Sequence, residues 1–267
     1  MFDESSDQAW RSRYGSEPPS DLGVAGRFLA HRSVREYSNR QIPEGTVNGL
    51  VAAAQSAATS SLLQLWSVVS VQAPERRKAI AALCADQDQV RNASWFLCFL
   101  VDHYRLRRIG RAVGEECLGL DYNEFYTMAL VDAALAAERL VCAAESIGVG
   151  ICYIGALRND PVAVAELLGL PDGVFGVFGL CLGYPAEDVQ APIKPRLGQD
   201  KVWFREKYDR DVEVGDYDER MKAFYDSQKM KVGVTWSMRS GRRVDEEHLS
   251  GRHVLKQFLE ERGMDVR

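Results

Sequence analysis

The chain has 267 residues, 46% of them hydrophobic, which is enough apolar material for one large core or two small ones. A formal net charge of -5 argues against a nucleic-acid binder, which would carry a basic face. No apolar run reaches membrane-spanning length, and the acidic opening MFDESSDQAW lacks the basic-then-apolar order of a secretory leader, so a cytoplasmic protein without a membrane partner is expected. Residues 1–22 are polar and proline-bearing and predict a loosely held arm, leading into a helix near Leu22 to Leu29. QIPEGTVNGLVAAAQSAAT has proline at a first helical turn and apolar residues at Val47, Leu50, Val51 and Ala54, which predicts a helix ending near Ala58. LWSVVSV then reads as a strand, PERRKAIAALCA as a helix and WFLCFLV as a second strand. The run from Phe125 to Gly150 is apolar on nearly every side for about six turns, which suits a central helix or one buried against a second subunit. After it come an aliphatic strand from Ile151, the helix PVAVAELLGL and the glycine-rich strand VFGVFGLCLGYP. Residues 204–245 alternate charges with tyrosines and predict a surface excursion, and 246–267 read as a closing helix with Leu255, Phe258 and Leu259 inward, the whole forming a single domain.

Chemistry concentrates in a few places. HRSVREY offers His31, Arg32, Ser33 and Arg35, a set of cations and a hydroxyl suited to a phosphate monoester, because guanidinium forks match its oxygens. Taken alone, the abundance of surface arginine–carboxylate pairs favours a solvated turn there. IKPRLG places Lys194 and Arg196 on one side of an extended segment, and ATSSLLQ places Thr59, Ser60 and Ser61 between a helix and a strand, where hydroxyls are ordinary turn formers. The six cysteines lie 10 to 29 residues apart with no CxxC, which fits buried thiols in a reducing compartment. His103 lies in a basic helical run, and His248 and His253 lack the i, i+4 spacing of a helical metal pair, so no metal is expected. GVGICY follows a helix and is no dinucleotide fingerprint. Glycine is unusual in an apolar strand, and its presence from Gly150 to Gly183 suggests that something approaches the backbone closely.

The order HRSVREY, ATSSLLQ, ADQDQV, LVDAALAAERLVCAAESIGVG, YIGALRNDPVAVAELLGLP, VFGLCLGYP, KPRL and YD resembles the FMN-dependent nitroreductase family, in particular its NADPH-preferring, oxygen-insensitive group, which includes flavin reductases. The resemblance covers about residues 26–210. It implies an α+β nitroreductase-like fold, a central antiparallel-type sheet flanked by helices, in a homodimer with one FMN at each end of the interface. It places His31, Arg32, Ser33, Lys194 and Arg196 around the flavin phosphate, Arg35 at the N1 and C2 carbonyl edge, and Gln87 at the pyrimidine edge. Thr59, Ser60 and Ser61 would reach the partner subunit's cofactor, and the Tyr153, Ile154, Gly155 backbone would run against the ring with an amide at N5. Ala156 departs from the family's second glycine. The implied activity is NAD(P)H oxidation with ping-pong hydride transfer to nitroaromatics or quinones and no side-chain nucleophile. Supply of reduced flavin to a monooxygenase, and flavin binding without turnover, are the alternatives. The resemblance points for the NADPH phosphate to Arg220, Lys229 and Lys231, in a region that departs from the family pattern by inserting Arg239, Arg242 and Arg243.

Overall fold

Four apolar runs form one antiparallel sheet in the computed structural model, which describes residues 5–20, 28–230 and 233–264. They are β1 (Trp66–Ser70), β2 (Trp95–Asp102), β3 (Gly150–Ile154) and β4 (Val174–Gly183), in the order β1-β2-β4-β3. Trp66 pairs with Val101, Trp95 with Leu182, and Cys152 with Cys181. β2 and β4 are buried almost end to end, so both faces of the sheet are covered. This is the α+β architecture with an antiparallel sheet that the sequence implied.

The contacts divide the chain into two compact units, residues 33–190 with those from 250 onward, and residues up to 32 with 191–249. The larger unit holds the sheet and the main core. A 24-residue helix, Asn123–Ser146, buries Ala129, Ala133, Ala136, Ala137, Leu140, Val141 and Ala144. Alanine at these positions leaves little side chain between the helix and its neighbours, so it packs close to the sheet and to the helix Glu44–Gln55. It ends with Gly148 at a φ of 78° and Val149 donating back to Ala144, a glycine-terminated stop. Pro74–Leu83 and Pro161–Leu168 each begin on proline and form further helices, as does Tyr104–Ala112 in the basic run. Among the described residues no helix is long and apolar enough to cross a membrane.

The smaller unit contradicts the expectation of a loose arm. Ser6–Tyr14 is a helix with a complete capping box between Ser5 and Gln8, and Gly15 closes it at a φ of 68°. Ala9 and Arg13 are buried on it, which a solvated arm would not allow. The helix expected near Leu22 to Leu29 falls mainly outside the described residues, and Phe28–Ala30 forms a single 3-10 turn. The segment read as an excursion contains two helices, Gly215–Ser227 and Trp236–Arg243, that share a small core of Tyr217, Met221 and Tyr225 with Trp236 edge-on to Tyr217. In the larger unit the closing helix is shorter than expected, Leu255–Glu261, preceded by the 3-10 turn Arg252–Val254; Phe258 and Leu259 are buried as anticipated, and Leu255 is partly buried.

Candidate functional site

In the smaller unit the two basic segments meet through Arg13. Arg13 is 5% exposed, and its guanidinium donates to three main-chain carbonyls, from Nε to Leu29 at 2.6 Å, Nη2 to His31 at 2.7 Å and Nη1 to Lys194 at 3.4 Å. Arg196 returns the contact, donating its N–H to the Arg13 carbonyl at 2.8 Å. The four candidate phosphate ligands His31, Arg32, Lys194 and Arg196 are thereby held on neighbouring segments although more than a hundred residues separate them in sequence. Arg32 is buried and donates to the carbonyls of Ala30 and Ala191. The Arg196 side chain is exposed and curls back on the Lys194 and Pro195 carbonyls at 3.2 Å. Tyr217 Oη donates to the Pro195 carbonyl at 3.2 Å. Arg220, a candidate for the NADPH phosphate, is engaged within the unit: it pairs with Asp216 at 2.9 Å and donates to the Arg196 carbonyl at 3.4 Å. Lys229 is exposed just past the end of its helix, and Lys231 lies outside the described residues.

In the larger unit Ser33 forms a parallel bridge to Ile151, and the Val34 N–H bonds the Ile151 carbonyl at 2.8 Å, so the extended segment from Ser33 lies beside β3. Arg35 is exposed on it and has no hydrogen bond or ion pair among the described residues, unlike a turn arginine paired to a carboxylate. Tyr153 donates its phenol to Glu138 at 3.2 Å, and Ile154 is buried. Burial, with Glu138 adding to it, raises the Tyr153 phenol well above its ordinary value, so it stays protonated as a donor.

The glycines answer the question of close approach. A Cβ at Gly150 would strike Val34 at 2.8 Å, at Gly179 the Phe96 ring at 2.3 Å, at Gly183 the Tyr37 ring at 2.5 Å, and at Gly176 it would crowd Leu157 at 3.3 Å. Gly169 and Gly173 adopt positive φ. Packing or conformation therefore accounts for every glycine of this hairpin except Gly155. There an added Cβ would meet only the end of Arg158's side chain, at 3.6 Å. Bare backbone with open space over it is a surface that a flat ring can lie against.

The hydroxyl loop has a second unexplained feature. Thr59 Oγ1 is buried with no hydrogen-bond partner, an arrangement that costs stability unless something outside the chain satisfies it. Ser61, Leu62 and Gln64 all hold positive φ, and Asp132, 1% exposed, accepts from the N–H groups of Ser60 at 2.9 Å and Leu65 at 3.1 Å. Gln87 donates to the Cys84 carbonyl and accepts from Gln89 at 2.6 Å, which leaves one donor and one acceptor site on its amide. Arg13 and Asp132 were not recognised in the sequence. A lone acid in the apolar run LVDAALAA was a signal for Asp132, since buried carboxylates need partners. Arg13 had no local signal, because its three acceptors are distant carbonyls. Within the larger unit the orphaned hydroxyl and the open glycine backbone suit a flat cofactor such as FMN, and within the smaller unit the cations by themselves suit a phosphate.

Comparison with known proteins gives the family. Residues 29–184 match the model of the nitroreductase family, and residues 194–267 match that of the nitroreductase family, C-terminal domain. The FMN reductase (NADPH) of Bacillus subtilis is 35% identical over 217 residues, covering 79% of this chain and 86% of that protein. The solved NfrA1 nitroreductase of B. subtilis superposes with a TM-score of 0.83 at 32% identity, over 90% of this chain and 98% of that one. The Vibrio harveyi NADPH:FMN oxidoreductase complexed with NAD+ gives a TM-score of 0.78 at 33% identity, over 90% and 97%. With family matches over most of its length and relatives this similar, the chain belongs to the nitroreductase family.

Proposed function

We propose that the chain is a cytoplasmic homodimer that takes hydride from NADPH in preference to NADH and delivers it to nitroaromatics or quinones, donor and acceptor occupying one open face in turn. Family membership makes it an NAD(P)H-dependent FMN oxidoreductase. FMN, when bound, supplies the redox chemistry, and the protein's part is to hold it and shape its surroundings. In the smaller unit His31, Arg32, Lys194 and Arg196 are the candidate phosphate holders. In the larger, Ser33 is a further candidate for the phosphate, Arg35 would bring a cation to the N1 and C2 carbonyl edge, Gln87 would offer its amide to the pyrimidine edge, and the Tyr153, Ile154, Gly155 backbone would lie under N5. The observation that carries this reading is the space over Gly155, which no packing requirement of the chain explains.

The outward side of the long helix carries Val131 and Leu135, 47% and 44% exposed, and the smaller unit exposes Trp203 and Tyr208. Apolar side chains displayed in this way support a second copy as partner, to which Thr59, Ser60 and Ser61 would contribute. A second reading, free flavin as the acceptor, is favoured by the name of the B. subtilis relative, FMN reductase (NADPH).

The test is direct. The purified protein is expected to be yellow, to sediment at twice the chain mass, to bleach with NADPH without oxygen, and to give parallel double-reciprocal plots when NADPH and acceptor are varied. Nitroaromatics or quinones should reoxidise it. Reoxidation by free flavin alone selects the second reading, and colour that persists with NADPH marks a flavin-binding protein without turnover. A colourless protein with no affinity for FMN ends the proposal.

A further inference from the structure

The helix Ser6–Tyr14 lies ahead of residue 29, where the match to the family model begins, yet it carries the side chain that binds the two basic segments together. The geometry points to Arg13 as a positioning residue that preorganises the flavin-phosphate cradle, an inference that rests on the proposed function's placing of the phosphate beside His31, Arg32, Lys194 and Arg196. A guanidinium is a rigid planar fork with five donors, so it can fix several acceptors in one geometry where an ammonium cannot. Arg13 spends that fork on the carbonyls of Leu29, His31 and Lys194, and its own carbonyl takes the Arg196 N–H. These bonds span 16, 18 and 181 residues of sequence. Cations on separate flexible segments would each lose entropy on closing around a phosphate, and segments already tied together lose less.

The helix is built to present this residue. Gly15 both closes it in the left-handed region and stands where a Cβ would strike Arg220 Cδ at 2.8 Å, so the glycine following Tyr14 seats the helix end against Arg220. Arg220 in turn donates to the Arg196 carbonyl. The N-terminal helix thus acts on the cradle through main-chain atoms and contributes no ligand of its own.

The experiment compares FMN with riboflavin, which lacks the phosphate, by fluorescence titration of the full-length protein stripped of flavin. Wild type is expected to prefer FMN strongly. Arg13→Gln and Arg13→Lys are each expected to weaken FMN at least about tenfold while riboflavin moves less than about twofold, as loss of several main-chain hydrogen bonds at the phosphate end alone would give. Unchanged discrimination in either folded variant, equal weakening of both flavins, or full rescue by lysine overturns the role. A measurement on wild type covers the case in which neither variant folds: FMN should slow amide exchange in residues 6–14 and at Arg196, and riboflavin should not, because ligand and tether stabilise the same arrangement. Equal protection by both flavins overturns the inference. If wild type itself binds the two flavins equally, the phosphate placement fails instead, which separates the two ideas.

Discussion

Gly155 and Gly179 are one pleat apart, since Gly179 pairs with Ile154, yet they are glycine for opposite reasons. At Gly179 the Phe96 ring occupies the place of a side chain, 2.3 Å from an added Cβ, and Ile154 lies 3.3 Å away. Overpacking there should cost Gly179→Ala about 1–3 kcal/mol. Gly155 is open, so Gly155→Ala should leave stability within about 0.5 kcal/mol of wild type, through loss of backbone freedom in the unfolded chain if anything changes at all. The order should reverse for the cofactor, with Gly155→Ala weakening FMN several-fold and Gly179→Ala binding it normally once folded. Urea denaturation of flavin-free protein and FMN titration measure the two effects separately. A Gly155→Ala protein that binds FMN and is reduced like wild type would remove the assignment of this backbone to the ring. The glycine signal was visible in the sequence, where the family resemblance set Gly155 apart from the later glycines, and the neighbours at each position supply the physical reason, packed rings at Gly179 and Gly183 against open space at Gly155.

At the scale of elements, the loop from Thr59 to Leu65 shows how the long helix serves the site. Three residues of positive φ in so short a stretch cost energy and persist only where their surroundings fix them. Asp132 does so, each of its carboxylate oxygens taking one N–H of the loop. Asp132→Asn keeps the shape but offers an acceptor to only one N–H and turns a donor toward the other. It should destabilise the protein by about 1–3 kcal/mol and, if the proposed dimer brings these hydroxyls to the cofactor, loosen FMN as well. Retained stability and retained FMN affinity in that variant would show that the loop holds its own conformation. The elements themselves were legible because apolar spacing, proline starts and the Gly148 stop are local, as were the four strands with their β-branched runs. The helix Ser6–Tyr14 was not, because it is polar and short, and its main tie is Arg13, whose acceptors are main-chain carbonyls with no sequence signature. The basic and hydroxyl motifs were legible as chemistry, and their supports were not, since Arg13 and Asp132 act on main-chain atoms that carry no sequence identity.

At the scale of the whole molecule, a chain of net charge -5 buries several basic groups, and they differ in whether they respond to pH. Arg77 is buried with its fork on the carbonyls of Val71, Val90 and Ala93, and although burial lowers its pKa it remains charged at any ordinary pH. His103 differs. It is fully buried where β2 meets the helix Tyr104–Ala112, its N–H bonds the Gly173 carbonyl, and Nε2 lies 3.2 Å from the Phe125 carbonyl. Burial, chiefly, holds its pKa below the ordinary 6.5; the bond to the Phe125 carbonyl opposes this, nearby Arg107 lowers it further, and Asp102 opposes it again. As pH falls through about 6.5 the unfolded chain takes up a proton on this imidazole that the folded chain refuses, so stability present above that pH is lost below it. The loss approaches about 1.4 kcal/mol per pH unit for one proton. His103→Gln keeps an Nε2 donor near the Phe125 carbonyl and does not titrate. Urea midpoints of flavin-free wild type and variant at pH 7.5, 6.0 and 5.0 should therefore diverge, the wild type falling more steeply. Midpoints that fall in parallel would assign the acid sensitivity to the carboxylates and clear His103 of any part in it.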